Sequence, residues 1–450
     1  MYDAGEALFV ANAGVLNKPL TKYDDYIRES KVQLFAHNTM QGENYKCDIN
    51  DQAAGTGIGG RLLDQLNRLG YHTSANEVES GGGMLKGSSS DNNPVWEVPV
   101  NDPQVLDKYS TVGDDMLDIV KTLNSISTAD DGLLSQTWSM MTSKSLFEYE
   151  KSLEYAALFE NPEFDMSHWS SNDMDKLEKR FRAMAQYIKM RGVRNVNREF
   201  FVIQHDGFDS HSESVGEVNA LFKESNNNLK QFIDEMKLQG VWDNMVIVMG
   251  SDFGRSISPH SSKGTDHAWG GNYFVLGGKV KGKQILGKYP EHLSKQSDKW
   301  IQRGRIIPTT PWEYVWHGIA QWMGVLDDHD LSEVLPNMKN FRKCDMFTDR
   351  DLFVNGQFPT YDCANMDEDN DGVTDELDLC PGTLQYFVDN GLVDGNGCSG
   401  SFPPSSSSSP TKTPIDAPSF NPTLSTSPTS SNLPFQDIGN NGFPAEVFPL

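Results

Sequence analysis

Three short segments of this chain carry acids, imidazoles and one guanidinium at close spacing. The first reads His205-Asp206-Gly207-Phe208-Asp209-Ser210-His211, the second Gly250-Ser251-Asp252-Phe253-Gly254-Arg255, and the third Gly264-Thr265-Asp266-His267. Carboxylate and imidazole together offer hard oxygen and borderline nitrogen, a donor set that suits Zn²⁺, Mn²⁺ or Fe. A cation held there lowers the pKa of bound water to about 7 and neutralises charge on a phosphoryl or sulfuryl oxygen. Arg255 adds a planar fork of donors able to hold the oxygens of an anion. Taken singly, an Asp or His in a loop is more often a cap or a local hydrogen-bonder. Three such segments following consecutive elements are what point to a metal.

A second acidic group has a different chemistry. Asp367-Glu368-Asp369-Asn370-Asp371-Gly372-Val373-Thr374-Asp375-Glu376-Leu377-Asp378 matches the twelve-residue calcium loop. Asp367, Asp369, Asp371, Asp375 and Asp378 occupy the carboxylate positions, Gly372 the tight turn, and Val373 the position that gives its carbonyl. Asp378 stands where a bidentate Glu is usual, which weakens one ligand. No helices flank the loop in the expected pattern, so the reading is a calcium-stiffened stalk rather than a switch. With Leu379-Cys380-Pro381 behind it, the segment resembles a thrombospondin type 3 repeat.

The metal-type segments need elements to aim them. Arg198–Gln204 is an apolar run of strand length, and Ser214-x-x-Glu217 is a capping-box pattern opening a helix that stops at Gly240. Met245–Met249 reads as a second strand and Tyr273–Leu276 as a third. Strand, helix, strand predicts a βαβ unit with the first two strands as parallel neighbours. Both end in the polar segments, at the carboxyl edge where open α/β sheets bind ligands. Elsewhere, residues 5–15 read as a buried strand, and helical patterns cover 114–123, 145–159, 173–191 and 312–323. Gly55–Gly60 matches a Gly-x-Gly-x-x-Gly pattern, but a polar segment precedes it where a strand should be. It reads as a glycine-rich helix entry, not a dinucleotide site.

The chain has 450 residues and a formal net charge of -25. Such a field repels nucleic acid and anionic lipid and attracts cations, which argues against a nucleic-acid partner. No apolar run is long enough for a membrane span. Four of the five cysteines (Cys344, Cys363, Cys380, Cys398) cluster around the calcium-type loop, with Cys47 apart. That clustering predicts disulfides and an extracellular or cell-surface location, with Cys380 able to pair with Cys363 or Cys398. No signal peptide follows Met1, so the start of a secreted chain is expected to be missing. Residues 399–433 are dominated by Ser, Pro and Thr and predict a disordered tail over 399–450.

Several motifs occur in the order found in one family. They include Gly207-Phe208-Asp209-Ser210-His211, Ser251-Asp252-Phe253-Gly254-Arg255, Gly264-Thr265-Asp266-His267 and Leu276-Gly277-Gly278-Lys279-Val280-Lys281-Gly282. Upstream, Leu34-Phe35-Ala36-His37-Asn38 and Gly57-Ile58-Gly59-Gly60-Arg61 belong with them. Residues 1–345 thereby resemble the domain-of-unknown-function family numbered 1501, a branch of the alkaline-phosphatase/sulfatase superfamily. The resemblance implies an α/β domain over 1–350, with a central, mostly parallel sheet flanked by helices. A calcium-binding segment over 360–398 and the tail would follow.

The resemblance further implies a metal set of Asp209, His211, Asp252 and His267, with His37 and Arg255 in catalytic roles. The chain departs from the family in two places. It lacks the apolar strand and Gly-Gly-x-Asp-Gly segment with which members begin, so the sheet is expected to lack its N-terminal strand. Ala36 also stands where members often carry Ser, which removes a candidate nucleophile. Two functions compete on these grounds. One is a secreted metal-dependent hydrolase of phosphate or sulfate esters, acting on a small anionic ester. The other is an inactive extracellular calcium-binding protein on a degenerate hydrolase fold.

Overall fold

The computed structural model describes residues 1–49, 55–88, 95–98, 100, 114–125, 133–169, 174–212, 214–380, 383, 385–389 and 391–398. The expected tail, 399–450, lies outside the described residues. The chain divides into two compact units. The first takes in residues 1–368 and 374–376, and the second takes in 369–373 and residues from 377 onward.

In chain order the first unit carries β1 (Ala7–Gly14), α1 (Tyr26–Glu29), α2 (His37–Lys46), α3 (Ile58–Arg68), β2 (Thr73–Val78) and β3 (Val95–Glu97). Then come α4 (Asp114–Ser125), α5 (Leu133–Phe159), α6 (Lys176–Lys189), β4 (Arg198–Ile203), α7 (Ser214–Leu238), β5 (Ile247–Val248) and β6 (Gly271–Leu276). Short strands β7 (Ile285–Leu286), β8 (Trp300–Ile301), β9 (Arg305–Ile306) and β10 (Thr310–Pro311) follow, with α8 (Trp312–Met323), α9 (Asp328–Val334) and α10 (Asp349–Leu352). Helix α7 has the bounds its apolar spacing predicts. Its expected capping box is replaced by a different arrangement: Ser214 Oγ donates to the Ser210 carbonyl, and Glu217 accepts from Ser210 Oγ.

Strand pairing departs from expectation. β4 pairs in parallel with β2, which pairs in parallel with β3. β5 instead pairs antiparallel with β6, in a five-stranded sheet ordered β10-β1-β6-β5 with β7 also on β1. The predicted neighbours β4 and β5 are therefore in different hydrogen-bonded sheets. The larger sheet is mixed rather than mostly parallel, since its longest ladder, β1 with β6, is antiparallel. Local apolar runs predict that strands exist, but partners are chosen by which edges the long-range packing brings together.

The two sheets nonetheless occupy one layer. Phe200 and Val202 of β4 pack into the same apolar cluster as Val246, Val248, Val275, Leu8 and Val10. The alternate residues Phe201 and Ile203 pack into the opposite cluster, together with Met245, Ile247, Phe274, Leu276 and Ala7. Side chains of a strand alternate between faces, so this common register places both sheets side by side between the same two cores. The first core is closed by Ile58, Leu62 and Leu66 of α3 and by Val315 and Ile319 of α8. The second is closed by Phe181 and Tyr187 of α6 and by Phe232, Ile233 and Met236 of α7. The result is a helix–sheet–helix layering with the layer interrupted between β4 and β5.

Disulfide Cys344–Cys363 lies in the first unit. The second unit holds α11 (Gln385–Asp389) and disulfide Cys380–Cys398, which settles the pairing that spacing left open. Cys47 is buried and free. Among the described residues no helix is long and apolar enough to cross a membrane.

Candidate metal centre

The polar segments meet beyond the carboxyl ends of β4 and β5. Asp209 is the hub: its Oδ1 accepts from Arg255 Nη1 at 2.6 Å and lies 3.0 Å from His211 Nε2 and 3.1 Å from His267 Nε2. Backbone pairing holds the loops in register, with bridges between Arg255 and His267 and between Ser212 and Lys263. Gly264 makes the closest of these approaches possible, because a Cβ there would sit 1.9 Å from the carbonyl carbon of His211.

His37 joins the cluster from the far end of the sequence. It is the first residue of α2, preceded by Ala36, which offers the helix start no side-chain cap. Its Nδ1 lies 2.5 Å from Asp252 Oδ2, and its Nε2 lies 3.3 Å from Asp209 Oδ2. Asp252 is in turn fixed through Oδ1, which accepts from the Phe253 amide at 2.9 Å and from Ser251 Oγ at 3.0 Å. Phe253 forms a wall between imidazoles, its ring centroid 4.6 Å from that of His37 and 4.7 Å from that of His267.

Tautomers follow from these partners. His267 Nδ1 lies 2.9 Å from the Phe35 carbonyl, which only accepts, so Nδ1 carries the proton. Nε2 then presents a lone pair to Asp209 and to His211 Nε2, 3.0 Å away. The same logic puts a proton on His37 Nδ1, facing the Asp252 carboxylate. His37 Nε2 is buried and makes no hydrogen bond. Lone pairs of imidazole and carboxylate thus face one another around one point, an arrangement that a cation relieves. His37, Asp209 and His267 each bring one ligand atom within 4.8 Å of the others, so the donors present fit a transition metal.

Arg255 is committed inside the cluster. Besides Asp209, its Nε donates to Thr265 Oγ1 at 3.0 Å, and its Nη2 donates to the Ser210 and Thr265 carbonyls at 2.9 and 2.6 Å. Those bonds use four of the five guanidinium N–H groups. Burial by itself would raise the Asp209 carboxyl, but the hydrogen bond and charge of Arg255 oppose it, and the carboxyl is held below the usual carboxylate range. Asp266 is likewise held low: burial opposes, but Arg303 and Arg305 prevail.

Of the six residues expected in site roles, Asp209 directly meets four: Arg255, His211, His267 and His37. The sixth, Asp252, stands behind His37 rather than beside His267. Sequence reading does not single out Phe35, which both orients His267 and underlies Arg305, whose guanidinium carbon lies 4.1 Å from the Phe35 ring centroid. Phe35 has φ 66, in the left-handed region that bulky residues avoid. The carbonyl direction needed by His267 is the structural counterpart of that strain.

The acidic loop is divided by the boundary between units: Asp367 and Asp375 lie in the first, and Asp369, Asp371, Val373 and Asp378 in the second. In the first, Asp375 is 5% exposed, and its Oδ1 accepts from the Glu368 amide at 2.9 Å. Its Oδ2 is buried without a hydrogen bond, which suits a cation. In the second, Asp371 Oδ1 accepts from the Val373 amide at 2.8 Å and Asp378 Oδ1 from the Cys380 amide at 2.7 Å. Gly372 has φ 91, the turn that its loop position demands.

Comparison with curated proteins and with solved structures finds no match. Residues 138–307, which include Asp209, His211, Asp252, Arg255 and His267 but not His37, match the model of the family described as protein of unknown function (DUF1501).

Proposed function

We propose that this chain is a metal-dependent hydrolase of phosphate or sulfate esters that works outside the cell, in keeping with the alkaline-phosphatase-like superfamily its motifs resemble. The observation that carries the reading is the convergence of His37 Nε2, Asp209 and His267 Nε2, three ligand atoms within 4.8 Å with their protons directed elsewhere. Zn²⁺, Mn²⁺ or Fe fits these donors and, when bound, supplies Lewis-acid charge at an ester oxygen. The chain's own residues hold the geometry. Asp252 keeps His37 oriented, the Phe35 carbonyl does the same for His267, and Arg255 holds Asp209 ionised. His211, whose side chain is 46% exposed, turns Nε2 to Asp209 and His267, so its Nδ1 is the nitrogen that can accept a proton from an attacking water. Ala36 has no hydroxyl, so direct attack by water replaces a covalent serine step.

The Asp-rich loop is proposed to bind Ca²⁺ as a thrombospondin type 3-like stalk element, and the disulfides fit an oxidising compartment. A second reading, an inactive extracellular scaffold, draws on one observation. Arg255 is turned inward, which leaves the anion without the cation expected to grip it.

Elemental analysis of metal-replete protein, with assays on an aryl phosphate and an aryl sulfate, separates the two. The hydrolase reading expects stoichiometric transition metal and turnover that a chelator abolishes. Protein that holds the metal but turns over neither ester supports the scaffold, and protein that excludes zinc, manganese and iron sinks the metal centre.

A further inference from the structure

The turn between β8 and β9 holds an arginine in a conformation that favours other residues. Arg303 has φ 60 and ψ 19, in the left-handed region that glycine or asparagine fills with least strain. The turn is pinned there, because the Ser258 amide donates to the Arg303 carbonyl at 3.3 Å and the Ile257 amide to the Gly304 carbonyl at 3.0 Å. A backbone outlier of this kind points to a role for the side chain it carries.

The contacts of the side chain within the fold do not account for that role. Arg303 Nη1 donates to Asp266 Oδ2 at 2.8 Å, but the same oxygen accepts from Arg305 Nη2 at 2.9 Å. Arg305 is the committed partner. Its Nε also donates to the His267 carbonyl at 2.6 Å, its guanidinium lies over the Phe35 ring, and its side chain is 16% exposed. Arg303 is 66% exposed, and an ion pair in that setting contributes little to stability. Two guanidiniums on one carboxylate leave one positive charge over. Among the described residues, the Nε and Nη2 hydrogens of Arg303 meet no acceptor.

This surplus cation stands beside the metal cluster without entering it. His260 Nε2 lies 4.0 Å from Asp266 Oδ2. The His260 ring stacks on that of His211, with centroids 6.1 Å apart, and His211 Nε2 lies 3.0 Å from Asp209 Oδ1. His211, His260, Asp266 and Arg303 thus form a series of contacts leading away from Asp209. An imidazole and a carboxylate separate Arg303 from His211, so the group it meets is not the one a metal at the cluster would hold.

Resting on the hydrolase reading of the cluster, we infer that Arg303 is a subsite for a second anionic group of the substrate. The substrate is then a polyanionic ester, with a sulfate or phosphate besides the one that is cleaved. A planar fork with unused donors suits the oxygens of either group. On a chain of net charge -25 a polyanion is repelled overall, so a local cation is what would hold it.

The test is a binding measurement on the full chain with zinc present, and it does not depend on turnover. The probe is sucrose octasulfate, titrated by calorimetry at about 0.1 M salt, where charges farther apart than about 10 Å are largely screened. Arg303→Asn removes the charge and suits the turn, so its melting temperature should not fall. It is expected to weaken binding of the octasulfate about tenfold, the loss of one charged hydrogen bond. Lys230→Gln removes a similarly exposed charge from α7 and should leave binding as in the parent. Absence of binding by the parent, equal losses in the two variants, or undiminished binding by Arg303→Asn would each overturn the subsite. A lower melting temperature in Arg303→Asn would make Arg303 a structural residue and overturn it too. The two readings fail separately. Binding with the expected loss but no ester turnover removes the hydrolase and keeps the subsite, whereas aryl-ester turnover with undiminished binding by Arg303→Asn does the reverse.

Discussion

At the scale of single residues, the cluster is organised by who holds whom. Asp209 receives Arg255 on one oxygen and faces His37 on the other, while the Phe35 carbonyl and the Asp252 carboxylate set the two imidazole tautomers. Residues that orient metal ligands typically change metal affinity or activity 10–100-fold when replaced. Arg255→Gln is therefore expected to weaken zinc binding about 10–100-fold, read by competition with a chromophoric chelator. A variant with unchanged metal affinity and a raised KM would mean that Arg255 grips the ester instead. The residue types in the three segments suffice to suggest a metal, so this much is legible in the sequence. That Arg255 faces inward is not, because its four donor contacts come from loops whose meeting depends on the whole fold.

At the scale of elements, α8 places an acid deep in the core. Glu313, in its first turn, is 2% exposed and accepts from Asn337 Nδ2 at 2.7 Å. Burial pushes its carboxyl up to about 7, with the Asn337 hydrogen bond and Arg61 opposing. The folded state thus binds this proton more tightly than the unfolded chain, where the group titrates near 4.5. Its contribution is complete below that lower value and is lost as pH rises through about 7. The loss is on the order of 3 kcal/mol. Glu313→Gln keeps an acceptor for Asn337 and carries no charge, so its urea midpoint should fall less than that of the parent between pH 5 and pH 8. Equal falls in the two proteins would show that Glu313 does not titrate in this window. The helix itself was predictable from apolar spacing over 312–323. The protonation of Glu313 depends on what packs around it, which spacing does not report.

At the scale of the whole chain, a net charge of -25 and an Asp-rich loop make cation supply a factor in stability. If the loop binds calcium as proposed, the ion would offset repulsion among the carboxylates it engages. Limited proteolysis should therefore show cleavage within 360–398 suppressed by millimolar Ca²⁺ but not by Mg²⁺, with the protection lost in Asp375→Asn. Cleavage that is indifferent to calcium, or protection that survives in that variant, would reduce the loop to a solvated acidic linker. The imidazole cluster should be unaffected by the substitution, because none of its residues lies in the loop.

Composition, apolar periodicity and residue type are local properties, and they predicted α7, α8 and the strand segments β1, β4, β5 and β6, and picked out the acidic loop and the polar segments around Asp209, Asp252 and His267. Pairings are not local. His37 and Asp252 are 215 positions apart, and β1 meets β6 across more than 250 residues. Whether β5 takes β4 or β6 as neighbour, whether Cys380 takes Cys363 or Cys398, and whether Asp252 binds a cation or an imidazole are all questions of distance in the folded chain. Folding selects those distances by burying the two apolar cores together, a sum over many contacts that no single segment encodes.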